Sequence, residues 1–152
     1  MTDLAELYQD IILDHSKQPR NFGELSEANR HADGYNPLCG DHIEVWIRID
    51  DDHVGKVHFS GSACAICTAS ASMMTQALQG KSHEESGVLF EQMRQMLAET
   101  GDGDIDQSGL GKLAALGGVR RYPMRVKCAT LPWHTFKAAL DENTGQPVTT
   151  EQ

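Results

Sequence analysis

Two cysteines three positions apart, Cys64 and Cys67, stand in the stretch GSACAICTASASMM, preceded by a glycine and small residues. A C-x-x-C pair is half a zinc site, a redox couple, part of an iron–sulfur site or two buried thiols. The other two cysteines bear on that choice. Cys39 lies in NPLCGD, where Asn-Pro begins a turn and Gly40 lets the backbone fold tightly behind the thiol. Asp41 is two residues further on, so its carboxylate can face the same space. Cys128 follows VRRYPMRVK, the densest basic run of an acidic chain. The spacing C-x24-C-x2-C-x60-C is no zinc-finger arrangement.

Three thiolates and a carboxylate, from Cys39, Cys64, Cys128 and Asp41, make a tetrahedral donor set suited to zinc. A helix beginning at Cys64 would lower its thiol pKa and favour the metal-binding, nucleophilic form. Such a set carries about four negative charges, of which Zn²⁺ cancels two. Basic groups are therefore expected beside it. Arg125 and Lys127 are nearest to Cys128, while Arg120 and Arg121 read equally well as a solvated face. The competing reading of all four cysteines is small buried hydrophobes.

Other chemistries fit less of the chain. His42, Ile43 and Glu44 followed by CAIC echo the H-x-E…P-C-x-x-C pattern of zinc deaminases. Ala63 stands where the proline should be, His42 and Glu44 open an alternating strand, and Cys39 and Cys128 go unexplained. A thioredoxin-like pair needs a βαβ setting, which the two antiparallel strands expected before Cys64 do not provide. A purely structural zinc module remains a rival of another class. His15, His31, His53, His58 and His83 read as surface or satisfied residues, and His134, six past Cys128, as a distant candidate for the site.

The elements that must position these groups are visible in the periodicity. TDLAELYQDIILDHSKQP predicts a helix capped by Thr2 and stopped by Pro19. HIEVWIRID alternates, with Ile43, Val45, Ile47 and Ile49 on one face and Glu44, Trp46 and Arg48 on the other. DDH turns the chain and VGKVHFSG returns it antiparallel, with a further short strand around Arg30–Gly34. A buried, small-residue helix follows Cys64 and stops at Gly80. Leu89, Phe90, Met93, Met96 and Leu97 mark another helix. GDGDIDQSG reads as an acidic loop and Leu110–Leu116 as a short helix. Pro132 predicts a break near Cys128–Leu131 and a fresh helical start. Cys39, Cys64 and Cys128 would then all lie at junctions of elements. Residues 1–142 read as one α+β domain and 143–152 as a polar, frayed tail.

The chain has 152 residues, 39% hydrophobic and 23% charged, enough for a core without disulfides. A net charge of -9 argues against a nucleic-acid footprint and for a basic partner surface. No apolar run is long enough for a membrane span. The acidic N-terminus has no signal-peptide character, so a reducing cytoplasmic setting is expected, where cysteines serve metals or reactivity.

Three separate stretches, NPLCGD, FSGSACAICTASASMMT and RYPMRVKCATLPW, resemble the cysteine motifs of SufU proteins, within the wider IscU/NifU N-terminal family of iron–sulfur cluster assembly proteins. The likeness runs from LYQDIILDHSKQPRNFG to about Leu140. It implies a compact α+β fold, a small antiparallel sheet packed by helices. It implies zinc on Cys39, Asp41, Cys64 and Cys128, and a pyridoxal-phosphate cysteine desulfurase as partner, handing persulfide sulfur to Cys39. Arg125, close to Cys128 in sequence, is expected on charge grounds to steady the thiolate or the incoming persulfide. Downstream iron–sulfur scaffold or acceptor proteins would receive that sulfur. The IscU-like branch implies instead iron or a [2Fe–2S] cluster on the same ligands. The extra stretch within about Lys81–Gly118, and Lys127 where IscU-like chains place a histidine, point to the SufU side. Cys67 departs from the pattern, which has serine or another small residue there. It reads as a packing residue, a relay thiol beside the site, or a ligand in place of Asp41.

Overall fold

The computed structural model describes residues 4–37, 39–98, 111–141 and 148–149. Helix α1 (Leu4–Lys17) leads into three strands, β1 (Arg30–Asn36), β2 (Asp41–Asp50) and β3 (His53–Ser62). Helices α2 (Ala65–Leu78) and α3 (His83–Ala98), a 3-10 helix over Gly111–Arg121, α4 (Pro123–Leu140) and β4 (Val148–Thr149) complete the order. The sheet runs β3-β2-β1-β4, antiparallel throughout except for the β1–β4 edge. This is the expected α+β fold.

The strands form where alternation demanded them. Ile43, Val45 and Ile47 have no exposed surface, while Glu44, Trp46 and Arg48 are half-buried on the other face. Asp51 and Asp52 both take positive φ, 49° and 66°. A two-residue hairpin loop needs that conformation, because its twist matches the flanking strands. β1 extends two residues past the expected strand, to Asn36.

The inner face of the sheet packs on α2 and α4. α2 is buried along most of its length, from Cys67 and Ala69 to Thr75 and Leu78. Its small residues let α4 come close: the Ser70 hydroxyl donates to the Ala129 carbonyl at 2.6 Å and accepts from Trp133 Nε1 at 3.1 Å. Gly34 does the same for the sheet, since a Cβ there would strike the Thr135 hydroxyl and sit 3.1 Å from Leu131 Cδ1. α3 starts with a reciprocal cap between Ser82 and Glu85, at 2.9 and 3.0 Å. It buries Leu89, Phe90, Met93, Met96 and Leu97 as its spacing predicted.

Three expectations change. Pro132 does not break the last helix, which runs unbroken from Pro123 to Leu140. The proline denies the Cys128 carbonyl its intrahelical donor, at a cost of about 3 kcal/mol. Burial of Leu131, Trp133, Phe136, Ala139 and Leu140 offsets that cost. The expected helical start falls to Pro123, nine residues earlier. The short helix expected over Leu110–Leu116 is a longer 3-10 element, carrying Leu113, Leu116 and Val119 into the core. Val148 and Thr149, in the stretch read as a tail, pair with Gly34 and Tyr35. The acidic loop and the Thr2 cap lie outside the described residues.

Candidate metal centre

Three walls converge at one end of the sheet. The first is the β1–β2 connection. Asn36 pairs with Asp41 across the strands, and the Cys39 N–H closes the turn on the Asn36 carbonyl at 3.2 Å. Gly40 follows at φ 71°, a left-handed conformation that costs glycine nothing. The second wall is the start of α2. Cys64 is its N-cap, and its sulfur accepts the Cys67 N–H at 3.5 Å. The third is α4, whose second turn carries Cys128.

The side chains meet between these walls. Cys128 Sγ lies 3.3 Å from Cys39 Sγ. One donor atom each from Cys39, Asp41 and Cys128 lie within 4.8 Å of one another. Asp41 Oδ1 accepts the Cys64 N–H at 2.7 Å, and Asp41 Oδ2 is 3.8 Å from Cys64 Sγ. Asp41 and Cys128 are buried, whereas Cys39 and Cys64 keep part of their surface. Cys39, Asp41 and Cys128 thus form one group, and Cys64 adjoins it through Asp41. Cys128, however, reaches the site from within a continuous helix and not from a junction.

The donors suit zinc. Four ligands at about 2.3 Å in a tetrahedron stand about 3.8 Å apart, close to the separations of 3.3 and 3.8 Å seen here. The electrostatics agree. Burial, hydrogen bonding to Cys39 and Cys64, and the charges of Cys64 and Asp41 push the Cys128 thiol far above the ordinary range. Anionic donors crowded like this repel one another until a cation joins them.

The comparisons with known proteins coincide with this geometry. Residues 7–129 match the NifU-like N-terminal domain. The chain belongs to this family. It is 36% identical over 152 residues to the iron–sulfur cluster assembly scaffold protein IscU of Streptococcus pyogenes serotype M1, covering 100% of this chain and 94% of that one. It is 40% identical over 146 residues to the zinc-dependent sulfurtransferase SufU of Bacillus subtilis strain 168, covering 94% and 95%. A crystal structure of an iron–sulfur cluster assembly scaffold for the SUF system, from Fervidobacterium islandicum AW-1, superposes with a TM-score of 0.80. That pair is 32% identical and covers 91% of this chain and 99% of the other.

The remaining candidates of this NifU-like domain fall around the centre. Cys67, in the first turn of α2, is wholly buried in the core, and burial above all raises its pKa, with Asp41, Cys64 and Cys39 adding to it. Its place in the core favours the packing reading over that of a ligand. Arg125 is exposed on the first turn of α4, and among the described residues its side chain makes no hydrogen bond or ion pair with the four donors. Lys127 is half-buried. His134 packs edge-on against Phe90 at 5.5 Å, away from the donor group. His42 and Glu44 point to the opposite face of the sheet from Asp41, which removes the deaminase reading. Asn36 was missed. It is fully buried, and its Nδ2 donates to Asp41 Oδ2 at 3.3 Å and to Cys128 Sγ at 3.4 Å. An Asn before proline reads as a turn former, and only the strand's extension to residue 36 turns it inward.

Among the described residues no helix is long and apolar enough to cross a membrane.

Proposed function

We propose that this chain is a zinc-dependent sulfur acceptor of the SUF type. It takes persulfide sulfur from a pyridoxal-phosphate cysteine desulfurase onto Cys39, in the cytoplasm, for delivery to iron–sulfur scaffold or acceptor proteins. One observation carries the reading: the three cysteines of the site differ in mounting. Cys64 caps a helix and Cys128 lies inside one, whereas Cys39 sits on a four-residue hairpin connection beside Gly40, partly exposed. No atom lies within 4 Å of the position a Gly40 Cβ would take, so the chain beside Cys39 faces open space. The zinc-dependent sulfurtransferase name of the Bacillus subtilis relative supports it.

Zinc, held by Cys39, Asp41, Cys64 and Cys128, would neutralise the thiolates and join loop, α2 and α4. The chain's own residues do the rest. Cys39, as thiolate, attacks the outer sulfur of the desulfurase persulfide. That S–S bond breaks, a new one forms on Cys39, and the desulfurase cysteine leaves as thiolate, with no net oxidation. Asn36 and the Cys64 amide hold Asp41 in place while Cys39 swings. Arg125, three residues before Cys128 and so on the same side of α4, is assigned to steady the incoming anionic persulfide.

A second reading keeps the same donors for assembling a [2Fe–2S] cluster as cargo, favoured by the whole-length match to the Streptococcus pyogenes scaffold. Incubation with desulfurase and cysteine, followed by non-reducing mass spectrometry, separates them. The expected result is a persulfide mainly on Cys39, lost in Cys39→Ser although that variant still docks, and a weaker yield in Arg125→Ala. Desulfurase stimulation undiminished in Cys39→Ser would sink the acceptor role. A brown protein carrying iron and sulfide would favour the scaffold, and zinc without sulfur uptake a structural module.

A further inference from the structure

The outer face of the sheet carries a second constellation, unrelated to the cysteines. Alternation turns His31, Asp33 and Tyr35 of β1 and His42, Glu44 and Trp46 of β2 away from the core. The register sets Asp33 directly opposite Glu44, His31 opposite Trp46 and His42 opposite Tyr35. Two carboxylates facing each other across antiparallel strands repel, and two imidazoles flank them here. His31 Nε2 lies 3.0 Å from Glu44 Oε2 and 3.7 Å from Asp33 Oδ1. His42 Nε2 lies 4.0 Å from Asp33 Oδ1. One donor atom each from His31, Asp33 and Glu44 fit within 4.8 Å of one another. His42 Nε2 is shielded from solvent yet makes no hydrogen bond, an orphaned buried nitrogen beside the pair of carboxylates. Both rings are braced: His31 leans on Trp46 at 5.3 Å, and His42 stacks on Tyr35 at 4.4 Å and 3°.

We propose that His31, Asp33, His42 and Glu44 form a second cation site, for a divalent first-row transition ion held through nitrogen and oxygen. Two carboxylates balance a dipositive ion, and imidazole selects this class over calcium or magnesium, which prefer oxygen alone. The site is half-exposed, so water completes the coordination. It lies on the opposite face of the sheet from Asp41 and Cys128 and does not depend on the sulfur-acceptor reading.

Cobalt(II) is the probe, titrated into the zinc-loaded full chain. The expected result is one further cobalt per chain, with weak visible absorption of nitrogen and oxygen donors and no thiolate-to-cobalt charge transfer. Asp33→Asn, Glu44→Gln and His42→Gln should each weaken that binding by about tenfold or more. These side chains pack on no core, and without cobalt the two carboxylate variants should melt no lower than the parent, because cross-strand repulsion is gone. Absence of the further cobalt would overturn the proposal. So would binding that survives all three substitutions unchanged, or that carries the charge-transfer band.

Discussion

Asp41 serves two purposes with its two oxygens. Oδ2 faces the sulfurs and Asn36, while Oδ1 holds the first free amide of α2, that of Cys64. The two roles separate by substitution. With both proteins metal-free, Asp41→Asn keeps an acceptor for the amide and should melt near the parent, while it binds zinc more weakly. Asp41→Ala leaves a part-buried N–H unpaired and should cost about 1–3 kcal/mol in addition. Equal melting of both variants in chemical denaturation would refute the capping role. Cys67 makes the opposite case. Its burial in the core leads us to expect full zinc retention in Cys67→Ser, with a stability loss of about 1–3 kcal/mol for a hydroxyl placed in apolar surroundings. Loss of the metal would make Cys67 a ligand after all. The donor residues were legible because thiol and carboxylate chemistry singles them out wherever they occur. Asn36 was not, since its role exists only once two strands and a helix meet.

Elements were legible where one periodicity ruled alone, as in β2 and α3. α4 was not, because a local rule about Pro132 lost to packing along the whole helix. Pro132→Ala returns a donor to the Cys128 carbonyl. It should raise stability by up to about 3 kcal/mol, less about 1 for the freedom regained by the unfolded chain. A lower melting temperature would mean that the ring's own packing dominates. The joint between α1 and α2 gives a pH test. His15 Nδ1 lies 2.7 Å from the Ser72 hydroxyl, which also accepts the Arg20 N–H at 2.8 Å. The hydroxyl proton is thus left for His15, whose pKa is depressed by burial first and by Arg20 second. An unfolded histidine titrates near about 6.5. Above that pH neither state is protonated and the contribution is flat. Below it the unfolded chain takes up a proton that the folded one refuses. Stability therefore falls as pH drops through about 6.5, until the folded pKa is passed, by at most about 1.4 kcal/mol per pH unit. His15→Gln should flatten this part of the curve in pH-resolved melting. An identical slope in both proteins would assign it elsewhere, His134 being depressed by burial as well.

At the scale of the molecule, the proposed metal donors join parts of the chain 89 residues apart, from Cys39 to Cys128. Binding to the folded form alone stabilises it by mass action, about 4 kcal/mol at a thousandfold excess over Kd. Chelation should accordingly lower the melting temperature by several degrees, and zinc should restore it. An unmoved transition would place the ion outside the core. The order of those donors has a consequence for the ribosome. A chain emerges from its N-terminus at about 5–20 residues per second, so Cys39, Asp41 and Cys64 are in solution for several seconds before Cys128 exists. In that interval α2 can meet α1 through Ser72 and lie on β3, but it lacks the α4 side of its packing, because Leu131, Trp133 and Phe136 are still to come. The nascent polypeptide thus passes through a stage in which three of the four groups wait for the fourth. On the proposed donor set, metal capture would be a closing act of biosynthesis, reserved for a chain whose last helix has already docked.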